Sequence, residues 1–400
     1  MSFLNRADES GAAPGCVWAW DVSGGISGKS PTATVSRIAT VVTTSSVYTY
    51  SSSFDDLWAS GSPTSELGNG RSSSTGSIST IPGGHVTSTS KGSTSHSSTV
   101  SPSASTGSGS GGGGNSSSTG SGGFQVSAPH YVVYADQSNY GYPSASQAGK
   151  WNRVVLAFWL TQGAWDNAKV WESLSASARQ SQIEAYHAKN IAIMVSAFGD
   201  TEQPTTSGED PVQLADKLAA WVLQYGLDGV DVDYEDAPAM AEGKGEAWLI
   251  AFTKELRNKL PKPHIITHAP QAPWFMQNKQ AYPGGGMIAV DKAVGGLIDF
   301  YNVQFYNQGA AYGDCTGLIT NSGNSFPATS IMELNKAGIP LDKIVLGKPV
   351  SASEAGTGYM DPKTLAGCVT QGKAKGWNGG VMTWQWTADA TNFGNTVCIL

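Results

Sequence analysis

The stretch Asp228-Gly-Val-Asp231-Val-Asp233-Tyr-Glu235-Asp236 alternates acidic side chains with apolar ones. Successive side chains of a strand point to opposite faces, so Asp231, Asp233 and Glu235 share one face and the apolar residues between them share the other. The intervening valines and the apolar segments before and after this stretch favour a central strand over a solvated edge. Asp228 is out of phase and is predicted to bond to backbone where the strand begins.

Seven further segments of the same kind accompany this strand between residues 128 and 400. The eight candidate strands begin near His130, Arg153, Asn190, Leu227, His264, Phe300, Lys343 and Gly379. Helical patterns lie between them, as in residues 211–223, where apolar residues recur at i, i+3, i+4 and i+7 before a C-cap glycine, Gly226. Apolar strands that alternate with amphipathic helices indicate a parallel sheet.

Eight such units in residues 128–400 predict an α/β fold of the (β/α)8 TIM-barrel type, which is typically about 250 residues long. The alternative is a doubly wound open sheet. That fold usually places a glycine-rich turn after its first strand, whereas this chain continues Tyr134-Ala-Asp-Gln-Ser138. The barrel is therefore the prediction, with a short last helix after Trp384.

In such a barrel the three acids point into the interior and rise towards the catalytic mouth, at the C-terminal ends of the strands. Like charges a few ångströms apart cannot all ionise cheaply, and burial raises their pKa values further. We expect the three carboxyl groups to titrate as a coupled set that retains at least one shared proton.

The low content of charged residues, 14%, indicates that part of the chain is not a packed domain. Within residues 87–123, 31 of 37 residues are Ser, Thr or Gly. Such a segment has nothing to bury, so residues 87–127 are predicted to be a flexible linker. Its hydroxyls suit O-glycosylation and Asn115 is a candidate N-glycosylation acceptor, with an unmodified tether as the alternative.

Residues 1–86 form an N-terminal region of unassigned role. They contain Trp18, Trp20 and Trp58, and a β-prone run begins at Arg37. A poorly ordered region is the prediction, with carbohydrate binding through the aromatic rings as the alternative. Residues 24–30 resemble a P-loop, but the first glycine is one residue too close to the lysine.

Net charge and composition exclude several classes of function. A net charge of −7 and an isoelectric point near 5.4 argue against nucleic-acid binding. No apolar run is long enough to cross a bilayer, and no secretory signal is visible at the start of the chain.

The histidines show no metal-ligand spacing, so neither metal nor cofactor is implied, and a monomer is expected. One disulfide is plausible among Cys315, Cys368 and Cys398, with its pairing open.

The acidic strand resembles the DxxDxDxE motif of glycoside hydrolase family 18, which comprises the chitinases and their relatives. The resemblance covers roughly residues 128–400 and extends to other strand ends. Matching segments are Tyr134 on the first strand, Ala157-Phe158 on the second, Thr267-His-Ala-Pro-Gln271 on the fifth, Gln304-Phe-Tyr306-Asn307 on the sixth and Gly380-Val-Met-Thr-Trp384 on the eighth. The third strand departs from the family's Ser-x-Gly-Gly pattern, because Phe198 follows Ser196 and Ala197. A bulky ring there puts the shape of that side of the cleft in question.

This resemblance implies substrate-assisted retaining hydrolysis of chitin, an exception to the usual pair of enzymic carboxylates. Glu235 would be the general acid, with its pKa raised by Asp233. Asp233 would stabilise the oxazolinium intermediate, and Asp231 could take a proton shared with Asp233. Tyr306 would hold the acetamido group in line. The implied substrate contacts are Trp384, Gln304, Asn307, Tyr134, Phe158 and Gln271.

Three rival functions remain open. An endo-β-N-acetylglucosaminidase acting on N-glycan cores uses the same acetamido chemistry, so the acidic strand cannot separate it from a chitinase. A non-catalytic chitin-binding lectin would normally lose the acid, which is present here as Glu235. A structural wall protein would leave the three acids without a role. The expected partner is chitin or a chitooligosaccharide, without nucleic acid or membrane, and the expected location is extracellular or associated with the cell wall.

Overall fold

The computed structural model describes residues 37–43, 46–52, 127–136 and 140–400. The chain divides into two units, Met1–Gly109 and Ser110–Leu400, and each is described here by itself. In the first unit, β1 (Arg37–Thr43) pairs antiparallel with β2 (Ser46–Ser52). The β-prone run at Arg37 is therefore a strand. Trp18, Trp20, Trp58, Cys16, Asn115 and nearly all of the expected linker lie outside the described residues.

The second unit is a closed parallel barrel of eight strands, so the predicted fold is confirmed. Its strands are β3 (His130–Ala135), β4 (Arg153–Leu160), β6 (Ala192–Gly199), β7 (Gly229–Tyr234), β8 (Ile265–His268), β9 (Phe300–Gln304), β10 (Ile344–Pro349) and β11 (Gly380–Trp384). Consecutive barrel strands pair in parallel, and β11 pairs with β3 to close the ring. A short strand, β5 (Gly163–Ala164), folds back antiparallel on β4.

Helices connect the strands on the outside of the barrel. They are α1 (Asp166–Ser173), α2 (Ala176–His187), α3 (Pro211–Tyr225), α4 (Ala237–Ala241), α5 (Gly245–Lys259), α6 (Gly286–Val294), α7 (Cys315–Ile319), α8 (Ile331–Lys336), α9 (Pro362–Ala374) and α10 (Ala390–Val397). In α3, the Asp210 side chain accepts from the backbone N–H of Gln213, and Gly226 ends the helix with φ of 71°. Both ends thus follow the sequence signals. The last helix has eight residues and is short, as expected.

Two apolar layers hold this unit together. Small and branched side chains such as Val132, Val155 and Val345 fill the barrel interior. A larger cluster lies between the strands and the helices and includes Val230, Val232 and Tyr234 of β7. Because the apolar residues of β7 pack outwards, its acidic residues must point inwards, as the alternation predicted.

The cysteine pairing that the sequence left open is Cys315 with Cys368, which joins α7 to α9. Cys398 is buried and has a free thiol. Among the described residues, no helix combines the length and apolarity needed to cross a membrane.

Candidate active site

Strand β7 carries the acidic residues in a rising series along the barrel axis. Asp231 lies deepest and is fully buried, Asp233 is 5% exposed, and Glu235 is partly exposed just beyond the strand end. Asp228, before the strand, accepts a hydrogen bond from the backbone N–H of Ile193 at 2.8 Å, the kind of bond predicted for it. The series therefore runs from a dry interior to the open mouth of the barrel.

Asp231 is surrounded by hydrogen-bond donors from four other strands. Its Oδ2 accepts from the hydroxyls of Tyr134 at 2.7 Å and Ser196 at 2.8 Å. Its Oδ1 accepts from the Thr267 hydroxyl at 2.6 Å and from Asn302 Nδ2 at 3.0 Å. Burial raises the pKa of Asp231, and these four bonds act in the opposite direction because they favour the ionised form.

The Tyr134 hydroxyl is the link between Asp231 and the far side of the barrel. It accepts a bond from Asn302 Nδ2 at 3.0 Å, so its own proton points to Asp231. The side chain is 1% exposed. Tyr134 therefore lies beneath the cleft and orients Asp231, whereas the resemblance implied a direct contact with sugar.

Asp233 and Glu235 share their amide donors. Gln304 Nε2 donates to Asp233 Oδ1 at 3.0 Å, to Glu235 Oε1 at 3.2 Å and to the Ala269 carbonyl at 2.9 Å. Gln271 Nε2 donates to Glu235 Oε2 at 2.9 Å. Both glutamines thus set the orientation of the carboxyl groups, in addition to any contact they make with a ligand.

The pKa values of Asp233 and Glu235 are both raised. For Asp233 burial is the main cause, followed by the charges of Glu235, Asp231 and Asp200, and the pKa lies well above its usual range. For Glu235 burial again comes first, the two glutamine amides oppose it, and the charge of Asp200 adds to it. Because the pair repels, whichever group ionises second does so at higher pH.

Aromatic rings line the mouth beside these acids. The Phe158 ring stacks on Trp384 with centroids 5.8 Å apart, and the Tyr134 ring is tilted against Trp384 at 5.9 Å. Trp384 and Phe158 are both partly exposed. Tyr306, on the segment after β9, is 6% exposed, and burial together with the charges of Asp233 and Glu235 raises its pKa well above the usual range. Its hydroxyl therefore stays protonated and able to donate.

The side chain of Asn307 serves the backbone of a neighbouring segment. Its Oδ1 accepts from the N–H of Gly356 at 2.8 Å and of Thr357 at 3.4 Å. The backbone N–H of Asn307 donates to the Thr357 carbonyl at 3.0 Å, and the backbone φ of Asn307 is 67°. In this structure Asn307 joins two loops, and its oxygen is already engaged.

Phe198 does not obstruct the cleft. Its ring points to the outer layer, where it contacts Trp248 at 5.7 Å and Phe252 at 5.4 Å between centroids. The following residue, Gly199, faces the cleft with φ of 79°, and a Cβ there would lie 3.0 Å from the Phe158 ring. Phe158 thus occupies the space that a side chain at 199 would need.

Sequence reasoning overlooked several members of the site. Ser196 and Thr267 lie directly opposite Asp231 in the registers of β6 and β8 with β7. Asn302 precedes Gln304 by two residues on β9 and so shares its face. Ser196, Thr267 and Asn302 could have been identified from the alternation of side chains along each strand, once the registers between neighbouring strands were known. Asp200 carries no such signal, because it follows the end of β6.

Taken together, the arrangement can protonate a leaving group at Glu235, stabilise positive charge beside Asp233 and hold a planar polar group through Tyr306. Rings at its rim provide a flat apolar surface of the kind that contacts sugar faces.

Several known proteins are similar to this chain. The family model described as glycosyl hydrolases family 18 matches residues 130–385. A chitinase of Enterococcus faecalis is 23% identical over 289 residues, which cover 66% of this chain and 81% of that protein. A basic endochitinase of Nicotiana tabacum is 28% identical over 262 residues, covering 59% and 79% respectively. A solved family 18 chitinase from Pseudoalteromonas aurantia has a TM-score of 0.54 at 28% identity, covering 67% of this chain and 98% of that one.

Proposed function

The chain belongs to glycoside hydrolase family 18, and from this membership we propose that it is a chitinase that cleaves the β-1,4 linkages between N-acetylglucosamine units. The observation that carries the proposal is the acidic series of β7, which continues to Glu235 just beyond the strand end, close enough to Tyr306 for the Glu235 charge to raise the pKa of the Tyr306 hydroxyl. The similar chitinases of other organisms support the same substrate class.

Glu235 is the general acid of the proposed reaction. It protonates the glycosidic oxygen as the bond to the anomeric carbon breaks. Burial and the charge of Asp200 raise the pKa of Glu235, so it keeps its proton at a pH where an exposed glutamate would have lost it. The acetamido oxygen of the substrate attacks the anomeric carbon, so no enzymic nucleophile is needed and the configuration is retained after water opens the intermediate.

Asp233 stabilises the oxazolinium intermediate by accepting a hydrogen bond from its N–H and by its negative charge. The four donors around Asp231 favour its ionised form, since accepting a proton would displace one of them. Burial still raises the pKa of Asp231 overall, but the four donors limit that rise, so Asp231 holds the shared proton less readily than Asp233 does. This modifies the role that the resemblance implied, in which Asp231 takes the shared proton.

Tyr306 donates its hydroxyl to the acetamido group and holds it in line for attack. Trp384 and Phe158 form the floor beneath the sugar that is cleaved. Gln304 orients both carboxyl groups, and Gln271 orients that of Glu235, through the bonds described above. An extracellular or wall-associated location remains a prediction from the Ser/Thr/Gly-rich segment.

The test is hydrolysis of a chitin tetramer by the full chain, with Glu235→Gln beside it and the product anomer followed by NMR. Wild-type cleavage that yields the β-anomer first, with at least about a 10³-fold loss in the variant, is the expected result. Glu242→Gln is the matched control, because Glu242 is an exposed glutamate just after α4. Its activity should equal wild type.

Two outcomes would overturn the proposal. Tight tetramer binding without cleavage by the wild type would indicate a lectin. Faster release of glycan from a high-mannose glycoprotein than cleavage of the chitin tetramer would indicate an endo-β-N-acetylglucosaminidase.

A further inference from the structure

Strand β10 carries a fully buried lysine beside the active site. Lys348 Nζ donates to three backbone carbonyls, those of Phe305 at 2.7 Å, Tyr312 at 3.0 Å and Gly358 at 2.9 Å. An ammonium group has three N–H donors, so each one is matched by one oxygen. Within the part of the chain that the structure describes, Nζ takes part in no ion pair.

The three carbonyls belong to two segments that meet over the barrel mouth. Phe305 and Tyr312 lie after β9, on either side of Tyr306 and Asn307, whereas Gly358 lies after β10. The segments touch at Tyr306: a Cβ at Gly358 would lie 2.6 Å from the Tyr306 Cα. One lysine therefore ties together both sides of the backbone that carries the Tyr306 hydroxyl.

An apolar residue would be the cheaper choice for a buried position that only fills space, since burying an unpaired cation is costly. The hydrogen bonds to the three carbonyls offset the cost of burying the ammonium group. The same bonds fix the backbone path of the segments after β9 and after β10. We propose that Lys348 is a positioning residue for hydrolysis, and that it holds Tyr306 in line with the acetamido group through the carbonyls of Phe305, Tyr312 and Gly358. This inference rests on the proposed function, because Tyr306 must act on the substrate for its position to matter.

Protonation of Lys348 is part of this arrangement. Burial lowers the pKa of Lys348 to about 8, and the three carbonyls favour the charged form. A neutral amine has two N–H donors and a lone pair, so its third carbonyl would lose its partner. The titratable groups on residues 305–312 and 351–361 are Tyr306, Tyr312, Glu354, Tyr359 and Asp361, and Glu333 on α8 acts on Tyr312 through its charge.

The effect of alkaline pH on activity should therefore differ from its effect on stability. Because the folded pKa of Lys348 lies below its unfolded value, the unfolded chain binds more protons between about pH 8 and 10.5, and this group makes the fold more stable as pH rises. Deprotonation would loosen the two segments without unfolding the barrel.

A lysine at the opposite end of β10 provides a matched control. Lys343 Nζ also donates to two backbone carbonyls, those of Gly295 at 2.8 Å and Ile298 at 2.7 Å, and its pKa is also lowered by burial. It lies one residue before the strand begins, at the end of the barrel opposite the mouth. Lys343→Met removes a similar set of bonds without touching the segments that carry Tyr306.

The experiment compares kcat and KM of the full chain on the chitin tetramer for wild type, Lys348→Met and Lys343→Met. We expect kcat to fall about 10- to 100-fold in Lys348→Met with KM nearly unchanged, since misplacement of a reacting group affects the chemical step most. Lys343→Met should keep kcat within about twofold of wild type. Equal losses of kcat in both variants, or an unchanged kcat in a folded Lys348→Met, would overturn the inference.

A second variant covers the case in which Lys348→Met does not fold. Lys348→Gln keeps two N–H donors and so imitates the neutral amine, and its kcat at neutral pH should lie between those of wild type and Lys348→Met. A folded Lys348→Gln with wild-type kcat would contradict the proposal.

Hydrogen exchange separates failure of this inference from failure of the proposed function. Amides of residues 305–312 and 351–361 should exchange faster in either Lys348 variant than in Lys343→Met, whatever the substrate. If the wild type cleaves no chitin, the function fails while this readout still tests the role of Lys348. Unchanged exchange in these segments would overturn the positioning role by itself.

Discussion

The acidic groups at the two ends of the barrel have opposite kinds of partner. At the N-terminal end, Asp299 pairs with Arg257 at 2.7 Å and with Lys262 at 2.6 Å, and it also accepts from the backbone N–H of Ile266. At the C-terminal end, Asp233 and Glu235 receive only side-chain amide donors, and among the described residues neither forms an ion pair. The Asp299 carboxylate is thus paired with cations, whereas the carboxyl groups of Asp233 and Glu235 face side-chain amides and other acidic groups.

This difference shows where the molecule gives up stability for chemistry. The ion pairs of Asp299 with Arg257 and Lys262 are charge-assisted hydrogen bonds that contribute to the fold. A buried carboxyl beside other carboxyls keeps a proton at higher pH, which general acid catalysis requires, and the fold is less stable for it.

The largest effect should come from Asp233→Asn. It removes the charge that stabilises the oxazolinium, so kcat/KM on the chitin tetramer should fall about 10³-fold. Folding raises the pKa of Asp233, so its ionised form destabilises the fold at neutral pH, and the melting temperature should hold or rise by a few degrees. Calorimetry beside the kinetic assay measures both. Retained activity with a lower melting temperature would reverse the contrast between the two ends.

A smaller effect, on stability alone, is expected for Asp299→Asn. The change leaves the Arg257 guanidinium and the Lys262 ammonium without their shared carboxylate, and the free energy of unfolding should drop by about 2 kcal/mol. Urea denaturation measures this, and kcat should not change. Glu242→Gln, which breaks an exposed pair with Lys244, should cost less than about 0.5 kcal/mol. If the two variants were equally stable, the N-terminal ion pairs would not be the stabilising feature that the comparison requires.

The smallest effect is expected for Asp200→Asn. The Asp200 charge raises the pKa values of both Glu235 and Asp233, so its removal should move the alkaline limb of kcat/KM to lower pH by about half a pH unit. The pH profile of tetramer hydrolysis measures this. Asp200 is exposed, so 1 M salt should shrink the difference between variant and wild type. A shift to higher pH would show that Asp200 does not act through its charge.

Much of the fold was predictable because buried parallel strands have a strong sequence signature. Every barrel strand begins within two residues of its predicted start, from His130 in β3 to Gly380 in β11. The orientation of the β7 side chains was also predictable from the sequence. Side chains alternate along a strand, so when Val230 and Val232 pack against the helices, the acidic residues between them must face the barrel interior.

Other features of the site depend on contacts between residues far apart in the chain. Tyr134 and Asn307 both occupy motif positions that the resemblance assigns to substrate contact. In the structure the Tyr134 hydroxyl donates to Asp231, and the Asn307 amide oxygen accepts from the backbone N–H of Gly356. Phe198 was a concern in the sequence, but its ring turns to Trp248 in the outer layer. Lys348 carried no signal, because a single lysine in an apolar strand does not show which carbonyls will surround it.

Sequence alone determined the barrel, its strand order and the three acids on one face, because these follow from periodicity, which is local. The pairing of Cys315 with Cys368, the four donors around Asp231 and the three carbonyls on Lys348 were decided only by the tertiary structure. Each of these joins several strands or loops, and hydrogen bonds depend on distances that only the closed barrel sets.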